Sequence, residues 1–579
     1  MALLPFSLTS IQQRIPVIRS RRFTPPKNPV MSNADTETPS SATVEPATTK
    51  RTLRFSRRFV LLVSLVTLLF LIGLIPYLLY RSILHQNFKH ASLDSYPNPK
   101  KIIAKLHCPV MPDANATVNP EERRQPLFRL PLRTYRRNIV DARGDRVKLM
   151  STNWYGASDE DSIPGGLDVR HRREIAATIR EMGFNSVRLP YSDEMVMTNP
   201  DVPMKFWGKN ADLLENPSQL RGRTSQKQTS ERGQRTRSPL SDDTDGDHMD
   251  TDKAGKSQFN SSSKKNSTTT ITIKALDIFD AVIKALTDEG IAIIVNNHIT
   301  QSRWCCDANL CDATWANDYL GKVCRIRQTE EQWIQNWEQV MRPHVDNPLV
   351  IGADLRNENR SPLGKMLWAK WAAAAEKAAN RLHVLQPNWL MFIEGVASSN
   401  YLQGVRSRPV NLTVANRVVY SSHVYGWSGW GSLLKGPYWS RDHESFSYDM
   451  FDNWGFLLAE DIAPVWVGEF GAPDQPNTGD LNYWVNLMDF LREVDADWGY
   501  WALNPRKPAG NETESYSLLR DDWVTPTCDY RMYDMLVKLG LPVYNSTSPA
   551  FETTTSVAPT RTAIPLPLGD GKQAPLGSF

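Results

Sequence analysis

Eight short apolar runs, separated by stretches of helical periodicity, constrain the fold of this chain more than any other feature. They occupy residues 147–154, 185–190, 291–298, 350–358, 389–395, 418–425, 465–470 and 499–504. Apolar residues recur at helical spacing between several of them: Ile175, Ile179 and Met182 before the second run, and Leu276, Phe279, Ile283 and Leu286 before the third. Trp368, Ala372, Ala375 and Ala379 follow the fourth in the same way. Strand and helix alternating in this manner predict an α/β protein with a parallel sheet. Eight strands fit a closed (β/α)8 TIM barrel, which needs roughly 250 residues. A doubly wound open sheet would carry a Gly-rich phosphate loop after its first strand, and this sequence has none there.

Chemistry in such a barrel gathers at the C-terminal ends of the strands. Two segments stand out, Leu355-Arg356-Asn357-Glu358-Asn359-Arg360 and Val467-Gly468-Glu469-Phe470-Gly471, each ending an apolar run on a glutamate. A buried carboxylate is costly unless it is paired or used. Other polar residues fall at the same end: Arg188 on the second run, His298 on the third, Asn357 beside Glu358, His423 and Tyr425 on the sixth, and Trp501 on the eighth. Each alone has an ordinary structural explanation, such as a core ion pair or a satisfied core histidine. Together they form one constellation.

In kind and order this set resembles glycoside hydrolase family 5, the cellulase-like family. The resemblance spans about residues 136–541 and departs from the family's pattern at Asn359, where proline is common. It implies retaining hydrolysis of an O-glycosidic bond in a β-linked glucan or related polysaccharide. Glu469 would be the nucleophile and Glu358 the proton donor and later base, with the carboxyl groups about 5–5.5 Å apart. The acid would need a raised pKa, from apolar surroundings or from the neighbouring Glu469 charge. Arg188, His298, Asn357, His423, Tyr425 and Trp501 would bind substrate or orient the two acids, with Asn357 on the sugar 2-hydroxyl and Trp501 as a stacking floor. Two other readings stand beside this one: a glycolipid β-glycosidase of the glucosylceramide type, and a glycan-binding protein without activity on the same barrel. Neither cofactor nor metal is implied.

Further aromatic candidates are Trp304, Trp427, Trp430 and Trp439, in loops after the third and sixth runs, with core packing as the rival explanation. Asp159 and Glu160 are read equally as outer-sugar contacts or as a solvated loop, and Asn153 and Asn296 as supports behind the site.

The appendages speak to location. Residues 1–58 are rich in Pro, Ser, Thr and Arg and are expected to be a disordered cytosolic tail. Residues 59–80 form an uncharged apolar run long enough to cross a bilayer as a helix. Lys50, Arg51, Arg54, Arg57 and Arg58 precede it, which places the N-terminus in the cytosol and the rest in the lumen or outside, as a single-pass type II protein. All six cysteines and the sequons at Asn115, Asn266, Asn411, Asn511 and Asn545 lie beyond the run, as that topology requires. Residues 81–135 are expected to be a stem and 542–579 a disordered tail. A polar stretch at 208–270 is expected to be a disordered insertion within the barrel, and its aspartates match no calcium loop.

Cys305, Cys306, Cys311 and Cys324 cluster without a C-x-x-C pair, so a local disulfide is expected rather than zinc. Cys108 and Cys528 could join the ends of the folded domain. A net charge of +4 on 579 residues, without a concentrated basic face, argues against a nucleic-acid partner.

Overall fold

All eight apolar runs form strands in a computed structural model of the chain, and the eight close into a parallel barrel in chain order. The structure describes residues 64–65, 67–68, 125–214, 271–306, 309–360, 367–429, 436–508 and 512–542. A hairpin, β1 (Arg133–Tyr135) with β2 (Asn138–Val140), precedes the barrel. The barrel strands are β3 (Met150–Asn153), β4 (Ser186–Ser192), β7 (Ala292–Ile299), β8 (Val350–Asp354), β9 (Leu390–Glu394), β10 (Val418–Val424), β11 (Val465–Phe470) and β12 (Asp497–Tyr500). A second hairpin, β5 (Asp201–Pro203) with β6 (Thr272–Lys274), brackets the polar insertion.

Both faces of the sheet are buried, so the strands read as continuous apolar runs, yet the period of two survives in what each face meets. On β7, Ala292 and Ile294 join the inner cluster, while Ile293 and Val295 pack against the helices. On β9, Leu390 and Phe392 point inward, and Met391 and Ile393 outward. Phe392 and Trp466 come from strands that do not pair with each other and meet edge to face at 5.2 Å across the interior. Leu132, Ile139, Val147 and Leu149, from the entry hairpin and the segment after it, belong to that inner cluster.

The surrounding helices bury the expected stripes. Ile175 and Ile179 lie inward on helix Arg172–Glu181, with Met182 at its C-cap. Leu276, Phe279, Ile283 and Leu286 do so on helix Ala275–Asp288. Trp368, Ala372, Ala375 and Ala379 are buried on helix Trp368–Leu385, where small residues allow close packing on the sheet. Helix Thr478–Val494 starts at a capping box in which Asn477 and Asp480 each satisfy the other's backbone N–H.

Several expectations change. β8 stops at Asp354 and not at residue 358: beyond it Leu355 N–H bonds Phe392 O and Asn357 N–H bonds Asn297 O, an irregular continuation that no glycine or proline signals. Likewise Trp501 follows β12 instead of lying on it. The folded domain starts before residue 136, because Leu132 is core. Residues 208–214, assigned to the insertion, are folded. Asn210 is fully buried, accepts the Arg172 N–H at 2.8 Å and donates to Leu167 O at 2.9 Å, and Leu213 packs into the core. Residues 215–270 lie outside the described part. So does nearly all of 59–80. Ser64, Leu65, Thr67 and Leu68 are helical, and no helix among the described residues is long and apolar enough to cross a membrane.

Cys311 pairs with Cys324 and Cys305 with Cys306, which gives the local bridging expected of that cluster. Cys528 is also disulfide-bonded, while Cys108 lies outside the described residues.

Candidate active site

Arg188 is the hub of the site. It points inward from β4, is wholly enclosed, and each of its five N–H groups has an acceptor. Nε donates to Asp354 Oδ2 at 2.7 Å, and Nη1 donates to Asn153 Oδ1 at 3.0 Å and to Glu469 Oε1. Nη2 donates to Asn357 Oδ1 at 2.8 Å and to Glu394 Oε1 at 3.1 Å. Of the two roles expected from sequence, orienting Glu469 is therefore what Arg188 does, and a direct contact to substrate is not available to it. It positions other groups.

Glu469 reaches this hub through a β-bulge. Val465 and Val467 face the helices and Trp466 faces the interior, so strict alternation would send Glu469 outward. The register of β11 slips on both sides, with Val467 opposite Ser422 but Glu469 opposite His423, and the extra residue turns Glu469 inward. Gly468 is required at the bulge because a Cβ would lie 2.7 Å from the Trp466 ring and 2.9 Å from Ser421 Oγ. Asn153 Nδ2 pins the bulge by donating to Gly468 O at 3.1 Å. Glu469 then takes the Arg188 bond on Oε1 and the Tyr425 hydroxyl on Oε2 at 2.9 Å.

Glu358 sits on the loop beyond β8 with φ of 46°, a left-handed conformation uncommon for a residue with a long side chain. Such strain persists only where surroundings enforce it and is concentrated at functional sites. Here the Glu358 N–H donates to Glu394 Oε2 at 2.7 Å. Its carboxyl is pushed up to about 6 by burial, which outweighs the opposing charges of Arg360 and Arg188. Only 14% of the side chain is exposed. The neighbouring Glu469 charge, offered from sequence as an alternative cause, is not among the causes of that rise.

His423 Nδ1 lies 3.1 Å from Glu358 Oε1 and 3.7 Å from Glu469 Oε2. Burial lowers this imidazole to about 4, below Glu358, so near pH 5 the proton resides on the carboxyl and the ring is neutral. Donor atoms of Glu358, His423 and Glu469 all lie within 4.8 Å of one another. A cation would fit that spacing. However, both Glu469 oxygens are already engaged by donors, one of them a guanidinium, so the set is better suited to proton transfer and carboxylate nucleophilic attack than to metal capture.

The remaining expected residues converge on the same pocket. Asn357 is bonded to Arg188. His298 bonds Asn296 Oδ1 through Nδ1 at 2.9 Å and stacks on Trp501 at 5.4 Å. Trp501 also stacks on Tyr155 at 5.1 Å, and Trp304 meets both rings edge-on. Trp427 stacks on Tyr425 at 4.4 Å and is 47% exposed, as a ligand platform at the rim would be. Trp439 is set apart, against Gly479 at the start of helix Thr478–Val494, and Trp430 lies outside the described residues. Asp159 is not a solvated loop carboxylate: it is buried, and burial raises its pKa well above the usual range, while Glu160 is exposed. Asn359 is wholly buried, and its carboxamide has no hydrogen-bond partner among the described residues.

Two acids were missed from sequence. Asp354 and Glu394 are fully buried on Arg188. Asp354 Oδ2 also accepts from Asn296 Nδ2 at 2.9 Å, which links Arg188 to His298. One guanidinium cannot balance three carboxylates, and burial together with the Asp354 charge pushes Glu394 well up toward its protonated form.

Comparison with known proteins agrees with this geometry. The family model described as cellulase (glycosyl hydrolase family 5) matches residues 254–507. An endoglucanase of Paenibacillus polymyxa is 26% identical over 427 residues, covering 70% of this chain and 86% of the relative. The major extracellular endoglucanase of Xanthomonas campestris pv. campestris is 24% identical over 411 residues, covering 67% of each chain. Among solved structures, an endocellulase of Pyrococcus horikoshii in complex with cellotetraose is similar in fold, with a TM-score of 0.51 and 21% identity over 71% of this chain and 99% of that one.

Proposed function

We propose that this chain, which is similar to cellulases of glycoside hydrolase family 5, cleaves O-glycosidic bonds of a β-linked glucan by double displacement. The observation that carries this reading is the spacing of Glu358 and Glu469, whose nearest carboxylate oxygens are within 4.8 Å. That suits direct attack by one carboxylate and leaves too little room for the water of an inverting enzyme, whose carboxyls stand about 6.5–9.5 Å apart.

Glu469, held by Arg188 and Tyr425, attacks the anomeric carbon while protonated Glu358 delivers its proton to the departing oxygen. Glu358 then takes a proton from water, which releases the sugar. His423 stays neutral and orients Glu358. Asn357 is placed to meet the 2-hydroxyl of the reacting sugar, and the exposed face of Trp427 to carry a neighbouring one.

Substrate is tested by incubating the chain with cello-oligosaccharides, mannan oligomers and glucosylceramide. New reducing ends from the β-glucan are expected. Release of ceramide alone would favour the glycolipid reading, and binding without hydrolysis of any aryl β-glycoside would favour the non-catalytic one. The pH dependence follows from Glu358. Its proton is needed in the first step, so kcat/KM falls tenfold per pH unit above about pH 6. The Glu358→Gln variant loses this alkaline limb.

The type II topology is part of the proposal. It rests on the apolar run at 59–80, the basic residues before it, and the disulfides and sequons after it. Asn411, within one sequon, is exposed. Expression in a eukaryotic secretory system should load Asn411 with glycan, so that Asn411→Gln removes one glycan's mass. An unmodified Asn411 would count against a lumenal domain.

A further inference from the structure

The adjacent-residue disulfide Cys305–Cys306 lies against the carboxamide of Asn357, the residue assigned above to the 2-hydroxyl of the reacting sugar. Asn357 Nδ2 is 3.3 Å from Cys306 Sγ and 3.5 Å from Cys305 Sγ. Its orientation is not free. Nη2 of Arg188 can only donate, so the Asn357 oxygen must face it, and the NH2 group must face the sulfur pair. Sulfur accepts hydrogen bonds weakly. The NH2 group is thus held in place without being satisfied, and a sugar hydroxyl is a stronger acceptor. Cys306 is exposed and Cys305 half-buried, so the sulfur pair borders the cleft rather than the core. Trp304, the next residue upstream, belongs to the aromatic cluster around Trp501.

We propose that the Cys305–Cys306 disulfide is a positioning element of the active site, fixing the Asn357 amide so that it meets the 2-hydroxyl of the sugar undergoing cleavage. A disulfide does this differently from two thiols. Its sulfurs carry no hydrogen, so both present acceptors to the NH2 group, and the covalent bond keeps them side by side. Reduction by a dithiol transfers two electrons and two protons to the pair, breaks the S–S bond and leaves the reductant as its own disulfide. The resulting thiols rotate independently and bring S–H groups toward an amide that is itself a donor. The inference rests on the retaining reading of Glu358 and Glu469, because only then is the 2-hydroxyl contact a transition-state contact.

The test uses the full-length chain and two aryl β-glucosides, one with a 2-hydroxyl and one 2-deoxy. In Cys305→Ser/Cys306→Ser, kcat on the 2-hydroxy substrate should fall by about three- to tenfold, the worth of one weakened hydrogen bond, with the 2-deoxy substrate unaffected. A dithiol should reproduce that selective loss in the wild-type chain and add nothing in the double variant. Cys311→Ser/Cys324→Ser, which breaks the other local disulfide, should leave the ratio between the substrates unchanged. Equal losses on both substrates would mean a merely structural disulfide and overturn the proposal, as would no loss at all. A wild-type chain that hydrolyses neither substrate contradicts the functional reading itself. A wild-type chain that is active, with a ratio indifferent to the disulfide, contradicts only this inference.

Discussion

Glu358→Gln lowers kcat on an unactivated β-glucan by about 10²–10⁴-fold, the usual worth of a placed general acid. The loss is much smaller on an aryl glycoside whose leaving group departs without a proton. Glu469→Ala loses activity on both substrates, because no leaving group can replace the missing nucleophile. Added azide separates the two further. With Glu358→Ala the glycosyl-enzyme still forms, and azide captures it to give a β-glycosyl azide. With Glu469→Ala azide enters from the empty nucleophile side and gives the α-anomer. Both variants should stay folded: Glu358 is already neutral in its resting form, and Arg188 keeps Asp354 and Glu394 as partners when the Glu469 carboxylate is removed. Full activity in either variant, or the opposite pairing of azide products, would sink the assignment of roles.

Arg188→Met destabilises the domain by about 3–5 kcal/mol, read as a lower urea midpoint, and abolishes hydrolysis. Removing the guanidinium leaves Asp354, Glu394 and Glu469 buried without their common cation, and Asn153 and Asn357 without their donor. Arg188→Lys restores the charge but offers three donors where five acceptors wait, so it recovers part of the stability and little of the activity. An Arg188→Met chain as stable as the wild type would mean that the cluster holds itself together through protonation alone.

Much of this was legible in sequence, and the gaps have physical causes. The eight strands and the buried helix stripes follow from periodicity, which the closed barrel preserves on both faces of the sheet. Glu358 and Glu469 stood out as acids ending apolar runs. Asp354 and Glu394 obey the same rule, since Leu-Met-Phe-Ile-Glu394 is as clear a signal as Val-Gly-Glu469, and it was available. What sequence does not encode locally is depth. The bulge at Gly468 and the left-handed turn at Glu358 bring those two acids toward the cleft, whereas Asp354 and Glu394 stay enclosed behind Arg188. For the same reason sequence leaves open whether Arg188 touches substrate or only orients the acids: its identity is visible there and its enclosure is not. Composition carries the polar insertion back to residue 208 because it ignores single contacts, whereas buried Asn210 and Leu213 tie 208–214 to the domain.

Glu358 and Glu469 act together on one glycosidic bond, with Glu469 forming a covalent intermediate. Proton NMR of the first sugar released from a cello-oligosaccharide tests it most directly. Double displacement predicts that the β-anomer appears first and then mutarotates. Initial release of the α-anomer would mean single displacement by water and would contradict the account.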